Sequence, residues 1–135
     1  MASMCPACRE AMPILEFAGI EIDRCIACGG IWLDSGELEA ILRADGEEPA
    51  RIIGAIDSAE PLGVSRRRRC PRCRKKLAAR RLRDFGVAID LCPRGDGFWL
   101  DRGELQTLTA KKPGAVSAFL KNLFEHELSA KPREV

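Results

Sequence analysis

The chain has 135 residues, with 22 Lys and Arg against 20 Asp and Glu, so its formal net charge is +2. The 46% hydrophobic content argues against an intrinsically disordered protein, and no run of about 18 apolar residues is present to span a membrane. The first residues lack the basic and apolar regions of a secretory signal. We therefore expect a cytoplasmic protein whose 7 cysteines hold metal rather than form disulfides.

The cysteines divide the chain into two copies of one unit, because they occur in four pairs of which the last is incomplete. The pairs are Cys5-Pro-Ala-Cys8, Cys25-Ile-Ala-Cys28, Cys70-Pro-Arg-Cys73 and Cys92-Pro-Arg-Gly95. The sequence around the cysteines repeats too, as WLDSGEL from Trp32 and WLDRGEL from Trp99. Units this small need a staple besides their hydrophobic cores. The predicted organisation is a first unit at 4–43, a linker at 44–68 with a possible short helix, and a second unit at 69–110.

Each unit is predicted to contain a β-hairpin followed by a short helix. Apolar and polar residues alternate on both sides of Ala18-Gly19 and again around Phe85-Gly86, which is typical of hairpins. After Asp34 and Asp101 the leucines take helical spacing. A further apolar stripe, with members Val116, Leu120, Leu123, Phe124 and Leu128, predicts an amphipathic helix at 115–129. The expected fold class is a small metal-stapled α+β protein.

The first unit has the ligand spacing of a structural zinc site. Its four cysteines follow the pattern Cys-x2-Cys-x16-Cys-x2-Cys, and each pair forms a tight knuckle that aims two sulfurs at one ion. The alternative is a pair of disulfides or four unligated thiols. The predicted ligands are Cys5, Cys8, Cys25 and Cys28. A closed four-sulfur site leaves no position for substrate, so this zinc is expected to support folding rather than catalysis.

The second unit lacks one ligand, because Gly95 occupies the place of the fourth cysteine. The remaining candidate ligands are Cys70, Cys73 and Cys92. Three outcomes are open: Asp96 supplies an oxygen ligand, His126 is recruited from the C-terminal helix, or the metal is lost and the hairpin, Trp99 and helix keep the fold. A second zinc is therefore in doubt at the level of sequence.

An acidic pair follows the tryptophan in each copy. Asp34 precedes Glu37 by three residues, and Asp101 precedes Glu104 in the same way. The spacing suggests paired catalytic carboxylates, but it also matches an N-cap with an acidic residue three positions later. We interpret both pairs as helix caps and the preceding tryptophans as lids over the hairpin cores.

The small net charge conceals an uneven distribution. Residues 1–48 carry a net charge of −7, residues 49–112 carry +9, and residues 113–135 are balanced. Eleven basic residues without an intervening acid surround the third knuckle: Arg66, Arg67, Arg68, Arg69, Arg72, Arg74, Lys75, Lys76, Arg80, Arg81 and Arg83. Such a patch attracts nucleic-acid phosphates or an acidic protein surface. The alternatives are a solvated surface and association with the acidic first unit.

The motifs together resemble the bacterial zinc-ribbon family related to the transcription factor IIB zinc finger. The resemblance rests on the Cys-Pro-x-Cys knuckle and, from Gly19, on the text GIEIDRCIACGGIWLDSGEL. It covers 4–42 closely and 69–108 with one ligand missing. It implies two zinc ribbons, a Zn²⁺ held by the four cysteines of the first, and a role in binding DNA or the transcription machinery.

Three functions follow as hypotheses. The leading one is a non-enzymatic tandem zinc-ribbon protein whose basic second ribbon binds nucleic acid or an acidic protein. The second is an assembly adaptor that makes its contact, and forms possible homo-oligomers, through the C-terminal amphipathic helix. The third is a thiol- or zinc-dependent enzyme that uses the three cysteines of the second unit.

Overall fold

A computed structural model describes residues 3–17, 19–44 and 46–109, and the predicted C-terminal helix at 115–129 lies outside this part of the chain. The strands are β1 (Ser3–Met4), β2 (Ala11–Met12), β3 (Ile14–Phe17), β4 (Ile20–Arg24), β5 (Ile31–Asp34), β6 (Glu60–Arg69), β7 (Lys76–Leu82), β8 (Val87–Leu91) and β9 (Gly97–Leu100). The helices are α1 (Glu37–Ala44), α2 (Pro49–Asp57) and α3 (Glu104–Thr109), and a 3-10 turn spans Arg83–Phe85. None of the described helices has the length and apolarity that a membrane crossing requires.

The two copies share one seven-stranded antiparallel sheet, with strand order β3-β4-β5-β9-β8-β7-β6. Strand β5 of the first copy pairs with β9 of the second, and Trp32 lies opposite Trp99. These two residues occupy the same position in their repeats. Since a residue that faces its own counterpart marks a twofold axis, the copies are related by a pseudo-twofold axis through this pairing. The small sheet β1-β2 stands apart from the large one.

The hydrophobic core has two layers, one on each face of the large sheet. On one face, helices α1 and α3 bury their leucines against Ile31 and Leu33 of β5. On the opposite face, the cysteine knuckles surround Trp32 and Trp99, which are fully buried. Successive residues of a strand point to opposite faces, and this explains how β5 contributes to both layers.

The tryptophans also join the copies. A Cβ atom on Gly30 would lie 2.1 Å from Cζ2 of Trp99, and one on Gly97 would lie 2.9 Å from Cζ2 of Trp32. Each indole therefore packs against a glycine in the second knuckle of the other copy. The prediction that the tryptophans are lids is wrong, because they form the middle of the shared sheet rather than its cover.

The prediction of an α+β fold with hairpins is confirmed. Strands β3 and β4 pair around Gly19, and β7 and β8 pair around Gly86, where a 3-10 turn at Arg83–Phe85 connects them. Within the predicted linker at 44–68, residues 49–57 form helix α2 and residues from 60 onward belong to the edge strand β6, which pairs with β7. The sequence did not predict this strand, because its run of arginines lacks the alternation of apolar and polar residues by which strands are recognised.

Candidate metal centres and basic surface

Four thiols of the first copy converge between its two knuckles. The Sγ atoms of Cys5 and Cys28 are 3.7 Å apart, and those of Cys8 and Cys25 are 3.2 Å apart. The backbone N–H of Cys8 donates to the sulfur of Cys5, and the N–H of Cys28 donates to that of Cys25. All four sulfurs lie within 4.8 Å of one another. The chain thus folds each pair into a turn whose amides face the sulfur that they surround.

The close approach of the thiols redistributes their protons. The pKa of Cys28 is lowered to about 5, first of all by its hydrogen bond with Cys5. The same contact, with burial, raises the pKa of Cys5, and burial raises that of Cys25 to about 11. The thiol of Cys28 therefore ionises readily, whereas those of Cys5 and Cys25 keep their protons unless a cation replaces them.

This donor set fits a zinc ion. Sulfurs bound tetrahedrally at about 2.3 Å from zinc are about 3.8 Å from one another, close to the separations in the first copy. A disulfide would bring two sulfurs to about 2.05 Å, and all seven cysteines are free. Cys5, Cys8, Cys25 and Cys28 would hold the ion, which supplies a cross-link between two knuckles and no open coordination position.

The second copy forms a matching cluster of four ligand atoms. Cys70, Cys73, Cys92 and Asp96 place three sulfurs and one carboxylate oxygen within 4.8 Å of one another. Oδ2 of Asp96 is 3.5 Å from the sulfurs of both Cys70 and Cys92. Hydrogen bonds from the thiols, that of Cys73 first, lower the pKa of Asp96, while burial raises the pKa of Cys70 to about 12. Three sulfurs and an oxygen are also an accepted donor set for zinc.

The second knuckles of the two copies have equal lengths and close in the same way. The N–H of Cys25 donates to the carbonyl of Gly30 at 2.9 Å, and the N–H of Cys92 donates to that of Gly97 at 3.0 Å. The two loops therefore begin and end at equivalent residues, and they differ only at the residues between these ends.

That difference is an exchange of two positions. In the first copy the ligand Cys28 precedes the left-handed Gly29 (φ 78°), whereas in the second the left-handed Gly95 (φ 82°) precedes Asp96. The turn closes one residue earlier, because the N–H of Gly95 returns to the carbonyl three residues before it and that of Gly29 to the carbonyl four residues before it. Asp96 is thereby directed to the place of the missing sulfur, and its longer side chain helps it to reach the cluster.

Of the predicted alternatives for the second copy, the structure brings Asp96 to the three sulfurs. Gly95 offers no side chain and contributes the turn. His126 lies outside the described residues. Both clusters are geometrically suitable for a metal ion.

The comparison with protein families agrees with this geometry. The transcription factor zinc-finger family, of TFIIB-type zinc ribbons, matches residues 4–44 and 69–111, which are more than half of the chain. The chain belongs to this family. The family implies zinc as the metal, and the second match shows that the copy with Gly95 is also a zinc ribbon. No curated protein matches the chain, and no solved structure matches it either.

Each zinc ribbon also carries two aspartates that share one arginine. In the second ribbon, Nη1 of Arg68 lies 2.8 Å from carboxylate oxygens of both Asp90 and Asp101. In the first ribbon the equivalent aspartates bind Arg72, at 2.6 Å for Asp23 and 2.7 Å for Asp34. The arginine lowers the pKa of Asp34.

The two arginines reach their aspartates by different routes. Arg68 belongs to the ribbon that it serves, but its counterpart in the first ribbon is Ser3, which is too short to replace it. Arg72 crosses from the second ribbon, where it stands between two metal ligands, and also donates to Oγ of Ser3. The basic second copy therefore neutralises acids of the first, as one of the sequence alternatives proposed.

The predicted helix caps are correct for the glutamates and wrong for the aspartates. Oε1 of Glu37 accepts the N–H of Asp34 at 2.7 Å, and Glu104 accepts that of Asp101 at 2.7 Å. The aspartate carboxylates bind the arginines and the Nε1 donor of Trp32 or Trp99 instead. The tryptophan, aspartate and glutamate of each copy thus stabilise the strand-to-helix corner, and the ion pairs give the aspartates a structural role.

The eleven residues of the predicted basic patch lie on β6, on β7, on the knuckle between them and, for Arg83, on the 3-10 turn after β7. Four bind groups on other elements of the protein: Arg68 and Arg72 in the ion pairs above, Arg80 with the carbonyl of Ile56, and Arg83 with Glu60. The other seven have exposed side chains: Arg66, Arg67, Arg69, Arg74, Lys75, Lys76 and Arg81. Arg69 donates to the carbonyl of Arg74 in the adjoining knuckle. We call these seven the basic surface.

Proposed function

We propose that the protein is a non-catalytic binding module, stapled by zinc in both ribbons, whose basic surface binds the phosphate backbone of nucleic acid. The two halves of this proposal rest on different observations. The zinc half is supported by the two ligand clusters and the family. The binding half is supported by the basic surface. Zinc-bound cysteines and a surface for phosphates both agree with a nucleic-acid-binding protein of the reducing cytoplasm.

For zinc, the observation that carries the proposal is the position of Asp96 beside the sulfurs of Cys70 and Cys92. With Asp96 as the fourth ligand, both sites are closed, and closed sites support folding rather than catalysis. Purified protein should contain two zinc ions per chain by elemental analysis, and Cys92→Ser should leave one. A single zinc that Cys92→Ser does not change would show that the second ribbon is free of metal.

For nucleic acid, the decisive observation is the division within the basic patch. The four side chains that bind other elements are accounted for by folding. The seven of the basic surface are exposed along one edge hairpin with no interspersed acid, and the partner of Arg69 is a carbonyl, which leaves its charge unneutralised. A charged edge strand also prevents edge-to-edge pairing of sheets, which is the competing explanation. Seven exposed cations are more than the protection of an edge strand requires. Such a concentration favours contacts with phosphates, which the nucleic-acid backbone supplies at regular intervals.

The test is the salt dependence of binding to fluorescent duplex DNA, single-stranded DNA and RNA. Each phosphate contact contributes about −0.9 to the slope of log K against log salt for duplex and about −0.7 for single strands. Lys76→Ala and Arg81→Ala should each weaken binding on all sequences and reduce the slope by about 1. The matched control is Arg43→Ala, which removes an exposed charge from helix α1. Absence of binding at low salt would refute this half, and saturable binding to acidic polypeptide alone would assign the surface to a protein partner.

A further inference from the structure

A surface groove of about 330 Å³ lies between the first knuckles of the two ribbons. Equivalent residues of both copies line it, among them Cys5 with Cys70 and Arg9 with Arg74. Matched residues from the two sides place the groove on the pseudo-twofold axis. The groove therefore exists only because the ribbons are joined, and neither ribbon would form it alone.

Four arginines line the groove, and no acidic residue does: Arg9, Arg67, Arg69 and Arg74. All four side chains are exposed. The ion pairs of the described residues involve other arginines, such as Arg68 and Arg72, and none of the four. Four guanidinium groups thus border one small groove without a carboxylate to offset them, a concentration of positive charge that an anion would relieve.

The backbone conformation of two of these arginines indicates that their side chains have a role in the groove. Arg9 and Arg74 adopt left-handed conformations, with φ of 62° and 68°, and their N–H groups donate to the carbonyls of Cys5 and Cys70 at 2.9 Å. Glycine takes this conformation more easily, as Gly29 does in another knuckle. Both ribbons therefore place an arginine where the turn itself would favour glycine, and in both the side chain lines the same groove.

We propose that this groove binds phosphate groups, which on the proposed function are those of a nucleic-acid backbone. Guanidinium groups bind phosphate oxygens in a bidentate manner, and four of them provide two groups for each of two neighbouring phosphates. The groove extends the basic surface across the axis to Arg9, a residue of the acidic first ribbon that lies far from the basic run in sequence.

Arg9→Gly and Arg74→Gly test the groove, because glycine preserves the left-handed turn while removing the charge. Each should weaken oligonucleotide binding about tenfold, as expected for the loss of a charged hydrogen bond, and Arg43→Ala should not. Inorganic pyrophosphate, titrated by calorimetry, should compete with the oligonucleotide and lose affinity in the same two variants. Circular dichroism and zinc content should be unchanged in both.

The outcomes separate the groove from the proposed function. If Lys76→Ala weakens oligonucleotide binding while Arg9→Gly matches Arg43→Ala, the groove proposal is refuted and the function stands. If the protein binds no oligonucleotide but Arg9→Gly abolishes pyrophosphate binding, the groove is a phosphate site and the nucleic-acid function fails. Loss of zinc from Arg9→Gly with unchanged anion binding would mean that the arginines only balance thiolate charge, and would overturn the proposal.

Discussion

The second knuckles of the two ribbons bring different residues to equivalent ligand positions. In the first, a cysteine ligand is followed by a left-handed glycine, and in the second a left-handed glycine is followed by an aspartate ligand. The loop length, the closing hydrogen bond and the glycine that admits the opposite tryptophan are all retained. The ligand position in such a loop is therefore set by where the chain turns. Exchanging the order of the ligand and the left-handed glycine keeps a ligand atom beside the other three.

The largest difference between the ribbons should appear when equivalent cysteines are replaced. Cys25→Ser breaks a four-thiolate site and Cys92→Ser breaks a site with three thiolates. Structural zinc contributes an apparent 10–16 kcal/mol, roughly, to the folding of small zinc domains, so both variants should lose a large part of their stability. Because thiolate is the softer ligand, Cys25→Ser should lose more. Chemical unfolding at saturating zinc measures this, and equal losses would mean that the ribbons are energetically alike.

The next largest loss of stability should follow from removing an arginine clamp, as we call each of Arg68 and Arg72 with its two aspartates. Arg72→Ala leaves Asp23 nearly buried without its cation and should cost about 2 kcal/mol, a value below that of fully buried pairs because the arginine is partly solvated. Adding Asp34→Asn should restore part of the loss, because it removes a carboxylate that then repels Asp23. Arg68→Ala makes the same comparison within one ribbon, and exposed Arg43→Ala is the control. Urea unfolding reports the differences, and an Arg72→Ala as stable as Arg43→Ala would contradict the clamp.

Exchanging the ligand of the second ribbon should sharpen the comparison further. Asp96→Cys supplies a fourth sulfur at the position where the turn delivers the ligand, and the second zinc should be held about tenfold more tightly. Asp96→Ala should release it. Competition with a chromophoric chelator measures both affinities, and Glu39→Ala, outside the clusters, is the control. A Cys variant that binds no better than Asp96→Ala would show that residue 96 does not face the ion.

The smallest effect concerns pH, where the ribbons should behave alike. Burial raises the pKa of both Glu37 and Glu104 to about 7. A raised carboxyl pKa favours folding fully below the unfolded pKa of about 4.3 and loses that contribution as pH rises through about 7. Glu104→Gln should therefore gain stability relative to the parent protein between pH 5 and 8, by roughly as much as Glu37→Gln. Unfolding curves across this range, with exposed Glu21→Gln as control, test the sign. A stability profile of either variant that runs parallel to that of the parent protein over this pH range would contradict the raised pKa.

The sequence predicted the hairpins, the helices and the convergence of the cysteines, because each rests on local periodicity or spacing. It did not predict that β5 and β9 would pair, since nothing in WLDSGEL indicates which strand faces it. Nor did it separate Arg68 and Arg72 from the exposed arginines, because internal partners depend on tertiary contacts. Arg9 was missed although the repeat alignment matches it with Arg74, a signal that the acidic surroundings obscured.

The pairing of Trp32 with Trp99 has a consequence for the origin of the chain. An interface in which each residue meets its own counterpart is what two identical single-ribbon chains would form as a closed dimer. Fusing such chains makes the halves independent in sequence while they remain partners in space. Arg72 serves the other half while Ala7 stands at the equivalent place, so the two halves of one chain differ as the subunits of a heterodimer do.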